Sequence, residues 1–281
     1  MGAFGPLWLT LHSMKPMYFL ISLFLGAAGL AVSAKATGVE PDAFAHSTQM
    51  IVVTTSDWNV VEGQLQLYER GTPHQAWRVV GKPISIVVGK NGMGWGIGAI
   101  ATDNPGVRRA SDPVKKEGDG RAPAGVFALG TAFGDASQPL RGLKMPYLSL
   151  TPSIECVDDV GSKYYNRIVD GSTIAPDWNS SEHMRSVGEA YRWGIVVGHN
   201  GIVTHSNPPV PGGGSCVFLH IWGGSSQGTA GCTAMPQSEL ETLLTWLDPT
   251  RKPLLVQVPA PECVRLAGPW RLPPTVSAAE R

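Results

Sequence analysis

The segment "SCVFLHIWGGSSQGTAGCTAMP" (215–236) sets the fold of the C-terminal half of this 281-residue chain. Its first part alternates like a β-strand, and one face of that strand would carry Cys216, Phe218, His220 and Trp222. A glycine-rich loop follows over 223–231 and ends at Cys232. Because small residues let such a loop fold back, the pattern predicts a strand, a return loop and an approach of Cys232 to His220.

The rest of the chain predicts a mainly β domain with one clear helix. Short runs rich in Val, Ile, Tyr and Trp predict strands within 50–70, 76–89, 126–134, 191–200 and 254–259. Leu240, Leu243, Leu244 and Leu247 at helical spacing predict one helix, with Pro236 in its first turn and Pro249 or Pro253 as its end. The stretch 89–125 predicts loop, and 135–190 predicts irregular structure. The 34 glycines and 23 prolines favour the same turn-rich class.

Composition bounds the domain organisation and excludes one class of partner. An apolar content of 43% is enough for a core, and we expect one domain over 50–260, with a linker over 35–49 and a flexible tail over 261–281. The formal net charge is +0, and Lys and Arg form no basic cluster. We therefore expect no nucleic-acid partner.

The N-terminus predicts export. An uncharged apolar stretch over 17–32 follows Lys15, and Val32-Ser33-Ala34 fits a small-x-small cleavage pattern. We expect 1–34 to be a signal peptide cleaved after Ala34, although an uncleaved membrane anchor is the alternative. Met14 is an alternative start to Met1. Membrane contact is expected through this segment alone.

Export changes how the four cysteines are interpreted. In an oxidising compartment, an even number of cysteines is typical of disulfide bonding, and these are Cys156, Cys216, Cys232 and Cys263. Two disulfides are possible, but at most one forms if one cysteine works as a thiol. The pattern alone does not fix the pairing.

Cys232 is either a structural or disulfide cysteine or a nucleophile. As a nucleophile it needs a base, for which His220 is the candidate, and backbone N–H groups of Gly231 and Cys232 could bind a developing oxyanion. A helix that starts near Pro236 would add the favourable end of its dipole. This layout suits a cysteine acyl-transfer enzyme.

Two other chemistries fit less well. Metal ligation would use His199, His205, His220 and Cys232, but their separations of 6, 15 and 12 residues match no compact metal motif. Glycoside hydrolysis would use carboxylates such as Asp158, Asp159 and Asp170, which are more typical of turns. We expect no metal and no cofactor.

At His220 and Thr229-Ala230-Gly231-Cys232 the chain resembles the L,D-transpeptidase catalytic (YkuD-type) family. Its signature is a histidine, a glycine-containing loop and Ser/Thr-x-Gly-Cys. The stretches "EGDGRAPAGVFALG" (117–130), "CVDDVGSKYYNRIVD" (156–170) and "RWGIVVGHN" (192–200) look like an exported proteobacterial branch of that family. The similarity spans most of 50–260.

The resemblance implies a YkuD-type β-sandwich and a periplasmic L,D-transpeptidase in cell-wall biogenesis and cell shape. Such an enzyme attacks the carbonyl between the diamino acid and the terminal D-alanine of a peptidoglycan tetrapeptide stem. The acyl acceptor stays open between a second stem, a lysine of an outer-membrane protein, a D-amino acid and water. A carboxypeptidase or amidase with the same residues, or a non-catalytic peptidoglycan-binding module, is the alternative.

The resemblance also assigns roles. Cys232 would be the nucleophile and His220 the general base, oriented by the backbone carbonyl of Ile221, with Gly231 and Cys232 N–H groups as oxyanion donors. If Cys232 is a free thiol, Cys156 can pair with Cys216 while Cys263 stays in the tail; alternatively, Cys216 is simply buried near the site.

Substrate contacts are assigned less directly, to Thr229, Trp222, Arg121 and His199. Thr229 either packs the turn or hydrogen-bonds near the cysteine, Arg121 is a candidate for the stem carboxylate, and His199 either lines the site or is structural. The chain departs from the common family pattern at Ala230 and Ala234, where many members carry polar residues.

Overall fold

The computed structural model describes residues 1–2, 42–203 and 208–273. The strands in this part of the chain are β1 (Gln49–Thr55), β2 (Glu62–Glu69), β3 (Arg78–Val87), β4 (Met93–Trp95), β5 (Ala122–Gly134), β6 (Tyr147–Ser149), β7 (Ile154–Val157), β8 (Arg167–Asp170), β9 (Ser181–His183), β10 (Trp193–Val197), β11 (Phe218–Ile221), β12 (Thr233–Met235) and β13 (Leu254–Gln257). The α-helices there are α1 (Gln237–Trp246) and α2 (Ala260–Leu266). The prediction of a mainly β protein is confirmed.

The large mixed sheet closes on itself through β5. Its strands follow the order β10-β11-β12-β3-β2-β1-β13-β5-β4, with β6 also paired to β5, and β5 pairs back with β10. The 13-residue β5 can do both because its first half pairs with β13 and its second half with β10. Most neighbours are antiparallel, but β1–β13, β11–β12, β4–β5 and β5–β6 are parallel. The parallel β11–β12 pair matters most, because it carries the segment from which the sequence analysis started.

The predicted helix is present and covers one face of this sheet. The leucines Leu240, Leu243 and Leu244 of α1 are fully buried in the main core, together with Leu219 and Ile221 of β11. Burial of each such side chain stabilises the fold by about 1.5–3 kcal/mol. This apolar face of β11 is the one opposite to His220.

A second sheet corrects the expectation of irregular structure over 135–190. Strands β8-β7-β9 form a three-stranded antiparallel sheet, and a 3₁₀ segment over Met184–Tyr191 leads from it to β10. The strands have three or four residues each and are separated by polar loops, so no sequence period is long enough to mark them. The loop prediction for 89–125 is likewise wrong for β4 and for the start of β5.

A disulfide joins the two sheets. Cys156 in β7 is bonded to Cys216, which precedes β11, with 5.9 Å between their Cα atoms. This confirms the pairing implied by the resemblance, and Cys232 stays a free thiol. The disulfide therefore fixes the small sheet against the segment that carries the candidate nucleophile.

The predicted borders of the domain need correction. The chain is already ordered at Asp42–Phe44, and Phe44, Ser47 and Gln49 are buried, so the linker prediction is wrong for 42–49. The flexible-tail prediction is wrong for 261–273, because α2 and the residues after it bury Cys263, Leu266, Trp270 and Leu272 in the main core. Helix α2 has only seven residues and follows Pro259, so its apolar residues are too few to show a helical period in the sequence.

The predicted signal peptide or anchor lies almost entirely outside the described residues, with Met14 and Ala34, as do 274–281. No helix in the described part of the chain has the length and apolar character needed to cross a membrane.

Candidate active site

A cavity of about 550 Å³ brings together the two residues that the sequence singled out. Cys232 and His220 both line it, and their side chains are 8% and 9% exposed. Trp222, Thr229 and Gly231 also contribute to its wall. The cavity is therefore a candidate active site, with its reactive groups nearly excluded from bulk water.

The parallel pairing of β11 and β12 explains why Cys232 returns to His220. Leu219 is paired with Thr233, so Cys232 lies beside Phe218, whose side chain points to the same face as His220. The return loop must pass close to other backbone. A Cβ at Gly228 would come within 2.6 Å of Lys90 Cα, so glycine is required there. The glycine-rich loop is thus a condition for the Cys–His arrangement.

His220 is held as a neutral base. Its Nδ1 lies 2.8 Å from the Ile221 carbonyl oxygen, and because a carbonyl only accepts, Nδ1 carries the ring proton. The Nε2 lone pair has no protein partner within 42–203 and 208–273. Burial lowers the pKa of His220, partly offset by the Ile221 hydrogen bond. The expected contact between Ile221 and the imidazole is present in the structure.

Cys232 is a protonated thiol in this state. Burial raises its pKa to about 12, and the Glu182 carboxylate adds to the effect, while the Phe218 N–H, Lys115 and Tyr191 oppose it. The sulfur accepts the Phe218 N–H at 3.3 Å and lies 3.6 Å from the Cys216 carbonyl, to which the S–H donates. In the described structure no hydrogen bond links the sulfur to His220. Nucleophilic attack therefore requires a base that removes the proton during the reaction.

The Thr229 hydroxyl links the backbone groups on either side of the nucleophile. Its hydroxyl donates to the Cys232 carbonyl at 2.6 Å and accepts the Gly231 N–H at 3.1 Å. Of the two alternatives for Thr229, hydrogen bonding near the cysteine is the one observed. The Gly231 N–H is thus engaged by Thr229 in this state, and its assignment as an oxyanion donor stays a prediction. The Cys232 N–H as oxyanion donor stays a prediction.

The helix dipole is not available to the thiol. Strand β12 separates Cys232 from the start of α1 at Gln237. The helix packs in the main core with Leu219, whereas Cys232 belongs to a second apolar cluster with Phe218 on the other face of β11. The expectation that α1 would lower the thiol pKa is therefore wrong.

Arg121 and His199 do not line the cavity, and both are structural. The Arg121 guanidinium donates to the carbonyls of Met93 at 2.8 Å and Trp58 at 3.3 Å, so it is not free to bind a substrate carboxylate. His199 is 1% exposed, and both of its ring nitrogens are engaged by the protein. Trp222, in contrast, does lie in the cavity wall, and its role in substrate binding stays a prediction.

Four polar residues of the cavity gave no sequence signal as a group: Lys115, Asp158, Glu182 and Tyr191. The Lys115 ammonium is nearly buried and lies 2.6 Å from Asp119 Oδ1. Burial raises the pKa of the Tyr191 hydroxyl, and the neighbouring Cys232 and Glu182 raise it further. These residues come from loops and from the small sheet, so only the tertiary fold brings them to Cys232.

No family model, curated protein or solved structure matches the chain. The chemistry of this site is therefore judged from its own geometry, and the family resemblance of the sequence stays a prediction.

Proposed function

We propose that this protein is an exported cysteine acyltransferase of the L,D-transpeptidase type that acts on peptidoglycan stem peptides. The observation that carries the proposal is one shared cavity, lined by a protonated Cys232 thiol and by a neutral His220 whose Nε2 has no partner among the described residues. The motif around Cys232 supports the same proposal. A closed, mixed β-sheet with one covering helix is compatible with a YkuD-type fold, which forms part of the proposal.

In the proposed first half-reaction, Cys232 Sγ attacks the carbonyl carbon between the diamino acid and the terminal D-alanine. The thiol proton passes to His220 Nε2 as the carbon–sulfur bond forms, and the oxyanion accepts a hydrogen bond from the Cys232 N–H. Collapse breaks the carbon–nitrogen bond, and D-alanine leaves with the proton returned from His220. The product is a thioester at Cys232.

In the second half-reaction an amine attacks the thioester. His220 takes the amine proton and delivers it to the departing Cys232 sulfur, which restores the thiol. The acceptor is a second stem, a protein lysine, a D-amino acid or water; the sequence does not distinguish among these four. Water as acceptor would make the same site a carboxypeptidase.

The resting protonation states determine how the thiol is activated. With the Cys232 pKa near 12 and the His220 pKa lowered, the resting site holds two neutral groups rather than a thiolate–imidazolium pair. Proton transfer must then accompany attack on the carbonyl. We therefore expect slow reaction of Cys232 with simple alkylating agents and faster reaction with acyl donors that fill the cavity.

The proposal is tested by intact-mass measurement of the mature protein after incubation with a carbapenem, a class that acylates cysteines of this family. One covalent adduct is expected on the wild type and none on Cys232→Ala. Cys263→Ala is the matched control, because Cys263 lies in α2 within the main core and should leave adduct formation unchanged. An adduct on folded Cys232→Ala, or none on folded wild type, would contradict the proposal.

A further inference from the structure

Two carboxylates of the small sheet form part of the wall of the cavity. Glu182 in β9 is paired with Cys156 in β7, and Asp158 follows Cys156 by two residues. Cross-strand partners share one face of a sheet, so Cys156 and Glu182 point to the same side. Asp158, just beyond the end of β7, lines the same cavity as Glu182. The disulfide from Cys156 to Cys216 brings that side against Cys232.

Among the residues that the structure describes, each carboxylate has one buried oxygen without a hydrogen-bond partner. These atoms are Asp158 Oδ1 and Glu182 Oε1. The neighbouring charges in the cavity wall are satisfied instead: Lys115 is paired with Asp119, and Glu117 accepts the Tyr165 hydroxyl at 2.5 Å. A buried, unpaired acceptor is destabilising, and two of them on one cavity wall mark a place where a donor is missing.

The charge of this wall favours a cation. Burial raises the pKa of Glu182, and the charge of Asp158 raises it further, against the Tyr191 hydrogen bond. A positive group between the carboxylates would relieve both the desolvation and the repulsion. In the described part of the chain, no group of three or more His, Cys, Asp or Glu side chains is placed to hold a metal ion. A cationic hydrogen-bond donor is therefore favoured over a metal.

We propose that Asp158 and Glu182 form a subsite for a primary ammonium group of the peptide substrate. This inference rests on the proposed function and adds the residues that would select the substrate. An ammonium group offers three N–H donors, enough to satisfy both unpartnered oxygens. The group belongs either to the side chain of the acyl donor's diamino acid or to the acceptor amine.

The subsite would also act on the nucleophile. Glu182 and Cys232 line the same cavity, and the Glu182 charge disfavours the Cys232 thiolate by raising the thiol pKa. An ammonium bound at Glu182 neutralises that charge. Substrates with the amine should therefore activate the thiol better than substrates without it.

The test measures binding, so that it does not depend on turnover. Calorimetry on Cys232→Ala protein compares a stem tetrapeptide that has a free side-chain amine with the same peptide acetylated on that amine. We expect acetylation to weaken binding by roughly tenfold or more, as for a hydrogen bond to a charged group. Adding Glu182→Gln or Asp158→Asn should reduce the difference to less than about threefold, because the charged acceptor is lost.

Glu189→Gln is the matched control, since Glu189 lies on the neighbouring segment with an 80% exposed side chain. An unchanged ratio between the two peptides in Glu182→Gln and Asp158→Asn would overturn the subsite, as would no binding of either peptide. Failure of the proposed function is seen separately, as the absence of a carbapenem adduct on wild-type Cys232.

A single-turnover experiment on the wild type identifies the source of the ammonium. If the free amine accelerates formation of the acyl-enzyme, the donor side chain occupies the subsite. If it accelerates only the breakdown of a preformed acyl-enzyme, and Glu182→Gln reduces that acceleration, the acceptor occupies the subsite as an ammonium and loses a proton before it attacks. If the free amine changes neither the formation nor the breakdown of the acyl-enzyme in the wild type, the proposal is contradicted.

Discussion

The surroundings of His199 and His220 show how two similar histidines come to differ in chemistry. Both residues are buried, at 1% and 9% exposure, and burial lowers the pKa of each. His199 accepts the Ile97 N–H at 3.2 Å and donates to the Gly213 carbonyl at 3.0 Å. His220 uses only Nδ1, and its second nitrogen belongs to a cavity-lining ring. Burial and a lowered pKa are common to both histidines. What distinguishes His220 is a ring nitrogen without a partner among the described residues, in the cavity that Cys232 also lines.

The largest expected effect is the loss of the base. His220→Gln should lower the rate of acylation of Cys232 by about 10²–10⁴-fold, because proton removal by a positioned side chain contributes that much. Stopped-flow or mass-resolved acylation rates measure the effect, with circular dichroism as a check on folding. A loss of less than about threefold in a folded variant would remove His220 from the mechanism.

Substitution at His199 should affect stability instead. His199→Ala leaves the Ile97 N–H and the Gly213 carbonyl without their ring partners in a buried place, and we expect a loss of about 2–4 kcal/mol in the free energy of unfolding. Urea denaturation measures it. The acylation rate per folded molecule should stay within about twofold of wild type. A variant as stable as wild type but slow in acylation would reverse the roles of the two histidines.

The pH dependence of stability should follow His199. Its pKa is lowered from 6.5 to about 4, chiefly by burial. Between these values the unfolded chain binds a proton that the folded protein does not, so this stabilisation is complete above pH 6.5 and is lost as pH falls towards 4. The full difference is about 3 kcal/mol.

Urea unfolding between pH 4 and 7 tests this dependence. His220 acts in the same direction, so the comparison that isolates His199 is wild type against His199→Ala. The slope of stability against pH should be smaller in the variant. Equal slopes would show that His199 is not held neutral by the fold.

The smallest expected effect is the loss of the Thr229 hydroxyl, which bonds to the backbone next to Cys232. Thr229→Val keeps the shape of the side chain but removes the hydroxyl that joins the Gly231 N–H to the Cys232 carbonyl. We expect a roughly 3–10-fold slower acylation, equivalent to about one hydrogen bond. Thr233→Val is the control, since its hydroxyl bonds to Gln257 rather than to the cavity. If Thr229→Val and Thr233→Val slow acylation equally, the Thr229 hydrogen bonds have no specific role in the reaction of Cys232.

Local patterns in the sequence predict the parts of this molecule that depend on neighbours along the chain. Alternation over 216–222 separates the face of His220 from that of Leu219. Leucine spacing predicts the presence of α1, although the prolines left its end open and the helix ends at Trp246. The Ile221 contact follows from adjacency to His220 in the chain. In each case a few consecutive residues contain the whole physical cause.

The parts that were missed depend on distant pairings. Glu182 reaches the cavity only because a three-residue strand pairs with Cys156, and a strand so short has no detectable period. Arg121 has the charge expected of a carboxylate-binding residue, but carbonyls of Trp58 and Met93 use it. The tail carries too few apolar residues in register to reveal that Trp270 fills the core.

The central claim, that Cys232 is a nucleophile activated by His220, is tested most directly by intact-mass analysis during reaction with a tetrapeptide stem. The wild type should gain the mass of the stem without its terminal D-alanine, attached to Cys232, and this species should accumulate far more slowly in His220→Gln. Release of D-alanine without such an adduct on trapping, or an adduct of the same mass on Cys232→Ala, would contradict the claim.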